Sequence, residues 1–281
     1  MALTVEISRN PIWRLFLKSM IRVLIGADNQ RLYDTLDWRQ ACDRLQQTDL
    51  MYPCYYSTQN FHGIKGGYLT SVAAVTYDTI TAYASPPNET WIRQQLLIPI
   101  QGQPRRILDL GCGTGSATLM LKQAFPPAMV IGLDLSPYML TVAEHKAQQR
   151  GLTIQWRHGL AEATGLETAS FDLVTVSMVL HETPPCISQL ILQECFRLLQ
   201  PGGQLIVLDG NQKILRHTDW LIKLFREPYS KVYAAGSVDA WLRMARFEAV
   251  QTRYVGWIHQ VTHGIKPVSP ISPQTEQVAM E

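Results

Sequence analysis

The stretch from Arg105 to Ser116 reads Arg-Arg-Ile-Leu-Asp-Leu-Gly-Cys-Gly-Thr-Gly-Ser and joins a short apolar run to a glycine-rich turn. Ile107, Leu108 and Leu110 predict a buried strand, and the apolar spacing of residues 117–125 predicts a helix after the turn. A strand, a glycine turn and a helix in this order are typical of the first unit of a nucleotide-binding α/β fold. Glycine lets a ligand approach the backbone closely, so we expect the ligand to lie over this turn.

The spacing of the three glycines indicates which nucleotide is bound. Gly111, Gly113 and Gly115 are spaced G-x-G-x-G, whereas the dinucleotide fingerprint is G-x-G-x-x-G. Asp109 stands two residues before the first glycine, where a carboxylate would repel a pyrophosphate but would suit a cationic amino group. A turn with a purely structural role is the alternative, and the coincidence of strand, acid and glycine spacing argues against it.

Residues 108–115, Leu-Asp-Leu-Gly-Cys-Gly-Thr-Gly, resemble motif I of the class I S-adenosyl-L-methionine-dependent methyltransferases. The resemblance implies an α/β fold with a Rossmann-like seven-stranded sheet, helices on both faces and a helical N-terminal extension. It also implies S-adenosyl-L-methionine as cofactor, S-adenosyl-L-homocysteine as its product, and direct methyl transfer as the activity. The cofactor contacts implied within the motif are Asp109, Gly111, Cys112, Gly113 and Gly115, which would hold the methionine part.

The next apolar run, residues 130–134, ends in Asp134, about twenty residues beyond the turn, where an acid binds ribose hydroxyls in nucleotide-binding α/β folds. A role for Asp134 as a helix cap is disfavoured, because the Ser-Pro pair that follows already supplies a cap and a first turn. Residues 134–140, Asp-Leu-Ser-Pro-Tyr-Met-Leu, resemble the ubiquinone/menaquinone-type branch of the family. This resemblance implies that Leu135 and Met139 flank the adenine.

Two further segments resemble parts of the same branch that contact the cofactor. A Tyr-Asp pair that begins at Tyr77 resembles a pair that precedes motif I, which implies that Tyr77 lies near the cofactor. Residues 159–162, Gly-Leu-Ala-Glu, resemble a loop usually written Gly-Asp-Ala-Glu, whose aspartate binds the adenine amino group. Leu160 occupies the position of that aspartate, so backbone groups of Leu160 or Ala161, or the carboxylate of Glu162, are the alternative contacts.

The apolar run 171–177 predicts another strand, and the residues that follow it fall at the edge where α/β sheets bind ligands. We therefore expect Ser177 to contact the cofactor, and His181 is the candidate catalytic residue. A histidine can accept a proton from a phenol or quinol hydroxyl, because its usual pKa lies near working pH. The alternatives are a packing role for His181 and catalysis by positioning alone. No metal site is predicted, because no second histidine follows at metalloprotease spacing and the five cysteines form no C-x-x-C pair.

The chain divides into three parts by motif and composition. Residues 1–100 predict a helical cap or lid that shapes the acceptor pocket. Residues 101–265 predict the S-adenosyl-L-methionine-binding methyltransferase domain, which ends in an antiparallel strand pair and carries a helical insert at about 210–236. Residues 266–281 contain three prolines and few apolar residues, so a disordered tail is expected.

Three features of the N-terminal part bear on the acceptor. Residues 11–26 are basic and amphipathic, which suits peripheral contact with a membrane or packing on the chain's own domain. Residues 29–47 predict one helical stretch, and the glycine-rich residues 62–68 predict a mobile loop with His62 as a lid candidate. The aromatic side chains that could line an apolar pocket are those of Tyr52, Tyr55, Tyr56, Phe61, Tyr68 and Tyr77.

Charge and resemblance together bound the function. A formal net charge of +2 gives no basic footprint for nucleic acid, and no apolar segment is long enough to span a bilayer, so a cytoplasmic or membrane-peripheral protein is expected. The resemblance implies a small-molecule acceptor, apolar and aromatic like a quinol or a phenol. Methylation of a natural product on oxygen or nitrogen is an alternative, and a non-catalytic cofactor-binding module is an alternative of another class.

Overall fold

Within residues 27–84, 88–218, 220, 222 and 227–268, which the computed structural model describes, the strands form one sheet. The strands are β1 (Arg106–Leu110), β2 (Met129–Asp134), β3 (Gln155–His158), β4 (Phe171–Ser177), β5 (Leu199–Gly210), β6 (Glu248–Val255) and β7 (His259–Ile265). Their order is β3-β2-β1-β4-β5-β7-β6. β1 to β5 run parallel to one another, and β7 runs antiparallel to both β5 and β6.

Apolar side chains cover both faces of the central strands. In β1, Ile107 belongs to one apolar cluster, and its neighbour Leu108 belongs to another on the opposite face. In β4, Leu173 and Val174 alternate in the same way, and all four side chains are fully buried. This explains the continuous apolar runs in the sequence, because strands of a parallel sheet are buried on both faces.

Helices flank this sheet and precede it along the chain. Those before the sheet are α1 (Ala27–Thr35), α2 (Trp38–Leu45), α3 (Cys54–Ser57), α4 (Ser71–Ala84) and α5 (Glu89–Gln94). Those after β1 are α6 (Ser116–Ala124), α7 (Pro137–Gln149), α8 (Pro185–Leu198), α9 (Gln212–Leu215), α10 (Ser230–Ala235) and α11 (Val238–Met244). The predicted α/β fold with N-terminal helices and a closing antiparallel pair is confirmed.

Two predictions in the N-terminal part were wrong in detail. The single helical stretch at 29–47 is interrupted, because the Asp37 carboxylate accepts a hydrogen bond from Gln40 N at 3.0 Å and begins a new helix there. The glycine-rich residues predicted to form a mobile loop are packed at both ends. The rings of Phe61 and Tyr68 stack with centroids 5.0 Å apart, and both side chains are buried.

The N-terminal part is joined to the sheet domain by specific polar contacts. Ser136 Oγ donates a hydrogen bond to the Tyr68 carbonyl oxygen at 2.6 Å. Lys146 Nζ lies 2.7 Å from Asp78 Oδ2, so an ion pair connects α7 to α4. Phe61 also packs in one apolar cluster with Met139 and Val142 of α7. These contacts hold the N-terminal helices over the edge of the sheet where β1 and β2 end.

The two ends of the chain differ in how far the structure describes them. Residues 1–26, which include the basic amphipathic stretch, and residues 269–281 lie outside the described part. Lys266, predicted to begin a disordered tail, is instead held in place: its Nζ donates to the carbonyl oxygens of Phe196 and Leu199 at 2.8 and 2.7 Å. In the described part, no helix is both long enough and apolar enough to cross a membrane.

The glycine turn after β1 is fixed by the neighbouring strand and by packing. The backbone N–H groups of Gly111 and Cys112 donate to the Leu133 carbonyl oxygen at 2.8 and 3.0 Å. Gly115 begins α6 with a φ of +77°, a left-handed conformation that favours glycine. A Cβ atom at Gly115 would lie 2.8 Å from Trp156 Cη2 and 2.9 Å from Ala143 Cβ.

Because of this crowding, we expect Gly115→Ala to lower the free energy of unfolding more than Gly151→Ala does. Gly151 has a comparable φ of +62° but no atom within 4 Å of its would-be Cβ. Both variants carry a left-handed alanine, which costs about 1–2 kcal/mol. Overpacking should cost Gly115→Ala a further 1–3 kcal/mol, approximately. Urea denaturation measures both values, and equal losses would mean that Trp156 and Ala143 move aside at no cost.

Candidate functional site

A cavity opens over the ends of β1 and β2 and is called here the glycine-turn cavity. It encloses about 670 Å³ between its walls. The N-terminal part contributes Tyr55, Tyr56, Phe61, Tyr68 and Tyr77. The sheet domain contributes Gly111, Gly113, Leu133, Asp134, Leu135, Met139, Gly159, Ala161, Glu162, Met178, Val179, Glu182, Thr183 and Ile191. Seven of the predicted cofactor residues thus come together here: Tyr77, Gly111, Gly113, Asp134, Leu135, Met139 and Ala161.

Asp134 is the best-defined polar group of the glycine-turn cavity. Its Oδ2 accepts a hydrogen bond from Gly113 N and its Oδ1 accepts one from Ser136 N, both at 2.8 Å. Burial raises the pKa of Asp134 to about 6, although these two N–H groups favour the ionised form. Each carboxylate oxygen keeps a lone pair, so Asp134 can accept two further hydrogen bonds from a pair of hydroxyl groups.

The glycines of the turn do not share one role. Gly113 faces open space, since the nearest atom to a Cβ placed there would be Tyr77 Cε1 at 3.9 Å. A Cβ at Gly111 would lie 2.4 Å from Val179 Cγ2, so this glycine allows the loop that follows β4 to pack closely against the turn. Gly115 does not line the cavity and serves the packing of α6 against Trp156. Of the three glycines, only Gly113 therefore leaves open space where a side chain would be.

Asp109, predicted to bind an amino group directly, lies behind the cavity wall. Its side chain is fully buried, Oδ2 accepts from Thr118 Oγ1 at 2.6 Å, and Oδ1 accepts from Thr175 Oγ1 at 2.7 Å. The threonines belong to α6 and β4, so Asp109 joins three elements beneath the glycine turn. Both carboxylate oxygens are thus bonded to these threonines, and the side chain does not line the glycine-turn cavity.

Three other predicted cofactor residues are not on the cavity wall. The Cys112 side chain points toward β2, where a Cβ on Gly132 would lie 3.0 Å from its sulfur. Ser177 is the last residue of β4, and its Oγ accepts a hydrogen bond from Arg93 Nη1 at 3.1 Å. Leu160 pairs with Ala163 in a short bridge beside the cavity. The side chains of Cys112 and Ser177 thus contact neighbouring strands and helices, whereas Leu160 is beside the cavity through its backbone bridge.

Glu162 lines the glycine-turn cavity in the loop where Leu160 replaces an aspartate of the family pattern. Tyr55 OH donates to Glu162 Oε1 at 2.5 Å, whereas Glu162 Oε2 is buried without a hydrogen-bond partner among the described residues. A buried carboxylate oxygen without a partner is unfavourable. The geometry therefore leaves an acceptor available for an N–H group of a ligand.

Asp78 and Lys146 were not identified as site residues from the sequence. Asp78 accepts hydrogen bonds from Thr114 Oγ1 and, at 3.3 Å, from Ser116 Oγ, both in or next to the glycine turn. Burial alone would raise the pKa of Asp78, but the adjacent Lys146 ammonium outweighs it and lowers that pKa. The two residues of the Tyr-Asp pair thus differ in position: Tyr77 lines the cavity, and Asp78 is hydrogen-bonded to the glycine turn.

A second cavity, called here the histidine cavity, adjoins the first. It encloses about 760 Å³ and takes its name from His62, His181 and His259. Its apolar wall consists of Ile80, Ile92, Leu215 and Ile258, and its polar wall includes Glu89, Arg93 and Glu227. Three residues line both cavities: Tyr77, Met178 and Glu182.

Met178 marks the junction of the two cavities. It has a φ of +59°, a conformation that is uncommon for a residue other than glycine. Its N–H donates to the Leu208 carbonyl oxygen at 2.8 Å, which continues the pairing of β4 with β5 beyond the strand's end. Backbone strain of this kind persists where the surrounding structure imposes it, and it is concentrated at functional sites.

His181, the predicted general base, lies in the wall of the histidine cavity with both ring nitrogens engaged. Nδ1 lies 2.5 Å from Asp209 Oδ1, and Nε2 lies 3.4 Å from Glu227 Oε1. Burial opposes protonation of His181, but Glu227 and Asp209 outweigh it and hold its pKa well above the usual range. This environment favours the protonated imidazole, which donates from both nitrogens and has no lone pair for an acceptor's proton.

The carboxylates and imidazoles around His181 form a cluster of five groups: Asp209, Glu182, Glu227, His62 and His181. His62 Nε2 lies 3.5 Å from Glu182 Oε1, and His62 Nδ1 lies 4.0 Å from Glu227 Oε1. Burial alone would raise the pKa of Glu227, but His181 outweighs it and lowers that pKa to about 2. Burial lowers the pKa of His62, but the hydrogen bond to Glu182 outweighs it, so the net pKa is raised.

His259 differs from the other two histidines of this cavity. Burial lowers its pKa to about 4, so its ring is neutral, and its Nδ1 has no hydrogen-bond partner among the described residues. Neither His259 nor Glu227 belongs to a motif. Their positions depend on the turn before β7 and on the segment before α10, so no local sequence signal could have identified them.

Comparison with known proteins places the central part of the chain in a family. Residues 107–203 match the family model described as a methyltransferase domain. The demethylmenaquinone methyltransferase of Thermus thermophilus is 38% identical over 119 residues, which are 42% of this chain and 53% of that protein. The enzyme of the same name from Lactiplantibacillus plantarum is 33% identical over 155 residues, covering 54% of this chain and 64% of the relative. The chain thus matches between half and two thirds of these relatives' length.

Solved structures show the same fold at low identity. Phosphoethanolamine N-methyltransferase 2 of Haemonchus contortus, in complex with S-adenosyl-L-methionine, superposes with a TM-score of 0.56 at 16% identity, over 70% of this chain and 57% of that one. A protein from Pyrococcus horikoshii gives 0.53 at 16% identity, over 76% and 99%. Strand order, glycine turn, family model and relatives agree: residues 107–203 match a methyltransferase domain, the fold is shared with methyltransferases of known structure, and the chain is similar in sequence to the demethylmenaquinone methyltransferases.

Proposed function

We propose that this chain is an enzyme that transfers a methyl group from S-adenosyl-L-methionine to a small aromatic acceptor of the quinol or phenol type. The observation that carries the proposal is the junction of two cavities at Tyr77, Met178 and Glu182. One cavity has the polar groups that a nucleoside needs, and the other has an apolar wall with a few polar groups. If each cavity held a ligand, the two ligands would meet at these three side chains.

The glycine-turn cavity suits S-adenosyl-L-methionine in four respects. The Asp134 carboxylate has lone pairs for two ribose hydroxyls, and Glu162 Oε2 is buried without a partner beside the cavity. Gly113 leaves space for close approach of the methionine part. Leu135 and Met139 supply apolar surface for the faces of the adenine. When bound, S-adenosyl-L-methionine supplies a methyl group on a positively charged sulfur.

The histidine cavity is the proposed acceptor site. Ile80, Ile92 and Ile258 give it an apolar wall suited to an aromatic ring, and His259 Nδ1 can bond a polar substituent. The names of the similar enzymes point to a quinone-type acceptor. The chain's own residues would orient the acceptor and exclude water, which are large contributions to a bimolecular reaction.

The function is tested by measuring transfer of a radiolabelled methyl group from S-adenosyl-L-methionine to quinols, phenols and amines. We expect labelling of quinols or phenols and none of simple amines. If only amines are labelled, the acceptor is an amine, and the proposed quinol or phenol class is wrong. Calorimetric binding of S-adenosyl-L-methionine or S-adenosyl-L-homocysteine without transfer to any acceptor would instead support a binding module.

Asp134 makes cofactor binding depend on pH. Its pKa of about 6 in the free protein means that it is ionised at pH 7.5 and protonated at pH 5. A protonated carboxyl is the weaker partner for two hydroxyl donors, so affinity should fall as the pH drops through about 6. Calorimetry should show S-adenosyl-L-homocysteine binding about tenfold more weakly at pH 5 than at pH 7.5, since affinity changes about tenfold per pH unit below the pKa.

Two variants serve as controls for this pH dependence. Asp134→Asn should bind the ligand weakly at both pH values, because the titrating group is gone. Asp43→Asn, which alters an exposed carboxylate on α2, should keep the dependence of the wild type. If Asp134→Asn retains the tenfold change, another group titrates and Asp134 does not bind the ribose.

Glu162 is proposed to accept a hydrogen bond from the adenine amino group, in place of the aspartate that Leu160 replaces. Glu162→Gln should weaken the binding of S-adenosyl-L-homocysteine by about tenfold or more, because a hydrogen bond to a charged group is lost. S-inosyl-L-homocysteine, whose base has an oxygen at that position, should bind Glu162→Gln at least as well as the wild type. Glu167→Gln alters an exposed carboxylate and is the matched control. An unchanged preference for the adenosyl ligand in Glu162→Gln would place the amino contact elsewhere.

A further inference from the structure

The junction between the two cavities contains one ionisable carboxylate, that of Glu182. Its neighbours in both walls are Tyr77, a phenol whose pKa burial raises, and Met178, which has no ionisable group. Glu182 therefore lies where the acceptor and the methyl group would meet, one residue along the chain from His181. His181 lines only the histidine cavity.

The hydrogen bonds of Glu182 orient it without using its full capacity. Tyr68 OH donates to Oε1, and the same oxygen lies 3.5 Å from His62 Nε2 and 3.9 Å from His181 Nε2. Among the described residues, Oε2 has no hydrogen bond or ion pair, so it can accept one from a ligand at the junction. The carboxylate is 16% exposed, so it is largely removed from water but still borders open space.

The charges of the surrounding cluster favour uptake of one proton. Three carboxylates, Asp209, Glu182 and Glu227, face two imidazoles, His62 and His181, so the cluster has one net negative charge when both imidazoles are protonated. The other charged groups of the histidine cavity, Arg93 and Glu89, neutralise each other in an ion pair at 2.6 Å. The cluster would thus balance the positive sulfur of a cofactor bound beside it, and it would become neutral on binding a proton.

We propose that Glu182 receives the proton that the acceptor loses as it is methylated; this inference rests on the proposed function. The acceptor's O–H bond breaks, its proton bonds to a Glu182 oxygen, and its electron pair forms the new bond to the methyl carbon. The bond between that carbon and sulfur breaks, and its electron pair stays on sulfur. The positive charge on sulfur and the negative charge of the cluster disappear in the same step, so no net charge is created in the buried site.

His181 then acts as a positioning residue. Its imidazolium, held by Asp209, fixes Glu227 and the cluster geometry, whereas Glu182 contacts the acceptor. Whether Glu182 accepts the proton or only holds the acceptor in place is decided by the variant Glu182→Gln. Glutamine has the same shape and can keep the bond from Tyr68, but it cannot accept a proton.

The first test uses acceptors of graded acidity. Glu182→Gln should lower the rate of methyl transfer to phenols with a pKa near 10 by about 10²–10⁴, the contribution of a general base. For phenols that are already ionised at the assay pH the loss should be less than about tenfold, because they have no proton to give. Glu182→Asp should recover part of the rate. Equal losses for acidic and weakly acidic phenols would overturn the proposal.

The second test does not depend on turnover. In the presence of S-adenosyl-L-homocysteine, calorimetry should show that Glu182→Gln binds the anion of 2,4-dinitrophenol at least tenfold more tightly than the wild type does. Binding of the neutral ether anisole should be unchanged, since only a carboxylate at the junction repels an anion. Glu167→Gln should match the wild type for both ligands. An unchanged affinity for the anion would remove Glu182 from the acceptor site.

The outcomes separate this inference from the proposed function. If the wild type methylates phenols and Glu182→Gln does so equally well, the function stands and the role of Glu182 is wrong. If the wild type methylates none, both fail. Thermal unfolding and S-adenosyl-L-homocysteine affinity of each variant identify a loss that comes from misfolding rather than from the missing carboxylate.

Discussion

The Asp109 carboxylate, hydrogen-bonded to Thr118 and Thr175, is the interaction on which the site depends most. A fully buried carboxylate is unfavourable unless its oxygens are bonded, and here each oxygen has one hydroxyl donor. The donors come from α6 and β4, while the acid belongs to β1. One buried group thereby links β1 and α6, the two elements that flank the glycine turn, to the neighbouring strand β4.

The second set of constraints joins the N-terminal part to this turn. Asp78 bonds to Thr114 and Lys146, and the carbonyl group of Tyr68 bonds to Ser136. These contacts bring aromatic side chains over the same turn that Asp109 supports from below. Both cavities consequently have walls from both parts of the chain, and Tyr77 is a wall of each. The acceptor's surroundings are set by this docking as much as by the sheet.

Local sequence predicted the elements of the sheet well, because strands buried on both faces leave continuous apolar runs and the glycine turn has a fixed spacing. The spacing of Asp134 from the glycine turn predicted a cofactor contact, and the family resemblance implied Leu135 and Met139 as further contacts; all three line the glycine-turn cavity. It could not tell that Asp109 would face two threonines, because the threonines lie nine and 66 residues away in the chain. His181 was placed correctly at the sheet edge, but its partners Asp209 and Glu227 come from distant segments, and they change what its nitrogens can do.

The aromatic side chains over the glycine turn also bear on how the protein exchanges its ligands. Tyr56, Phe61 and Tyr68 cover the glycine-turn cavity and are anchored through Ser136 and the contacts of α4. A nucleoside held beneath them would be retained more strongly if the side of the cavity that they cover stayed closed. Firm anchoring therefore has opposite effects on two quantities: it keeps water out of the reaction, and it lengthens the residence time of the spent product. The strength of a few hydrogen bonds far from the reacting atoms would then limit the rate of turnover.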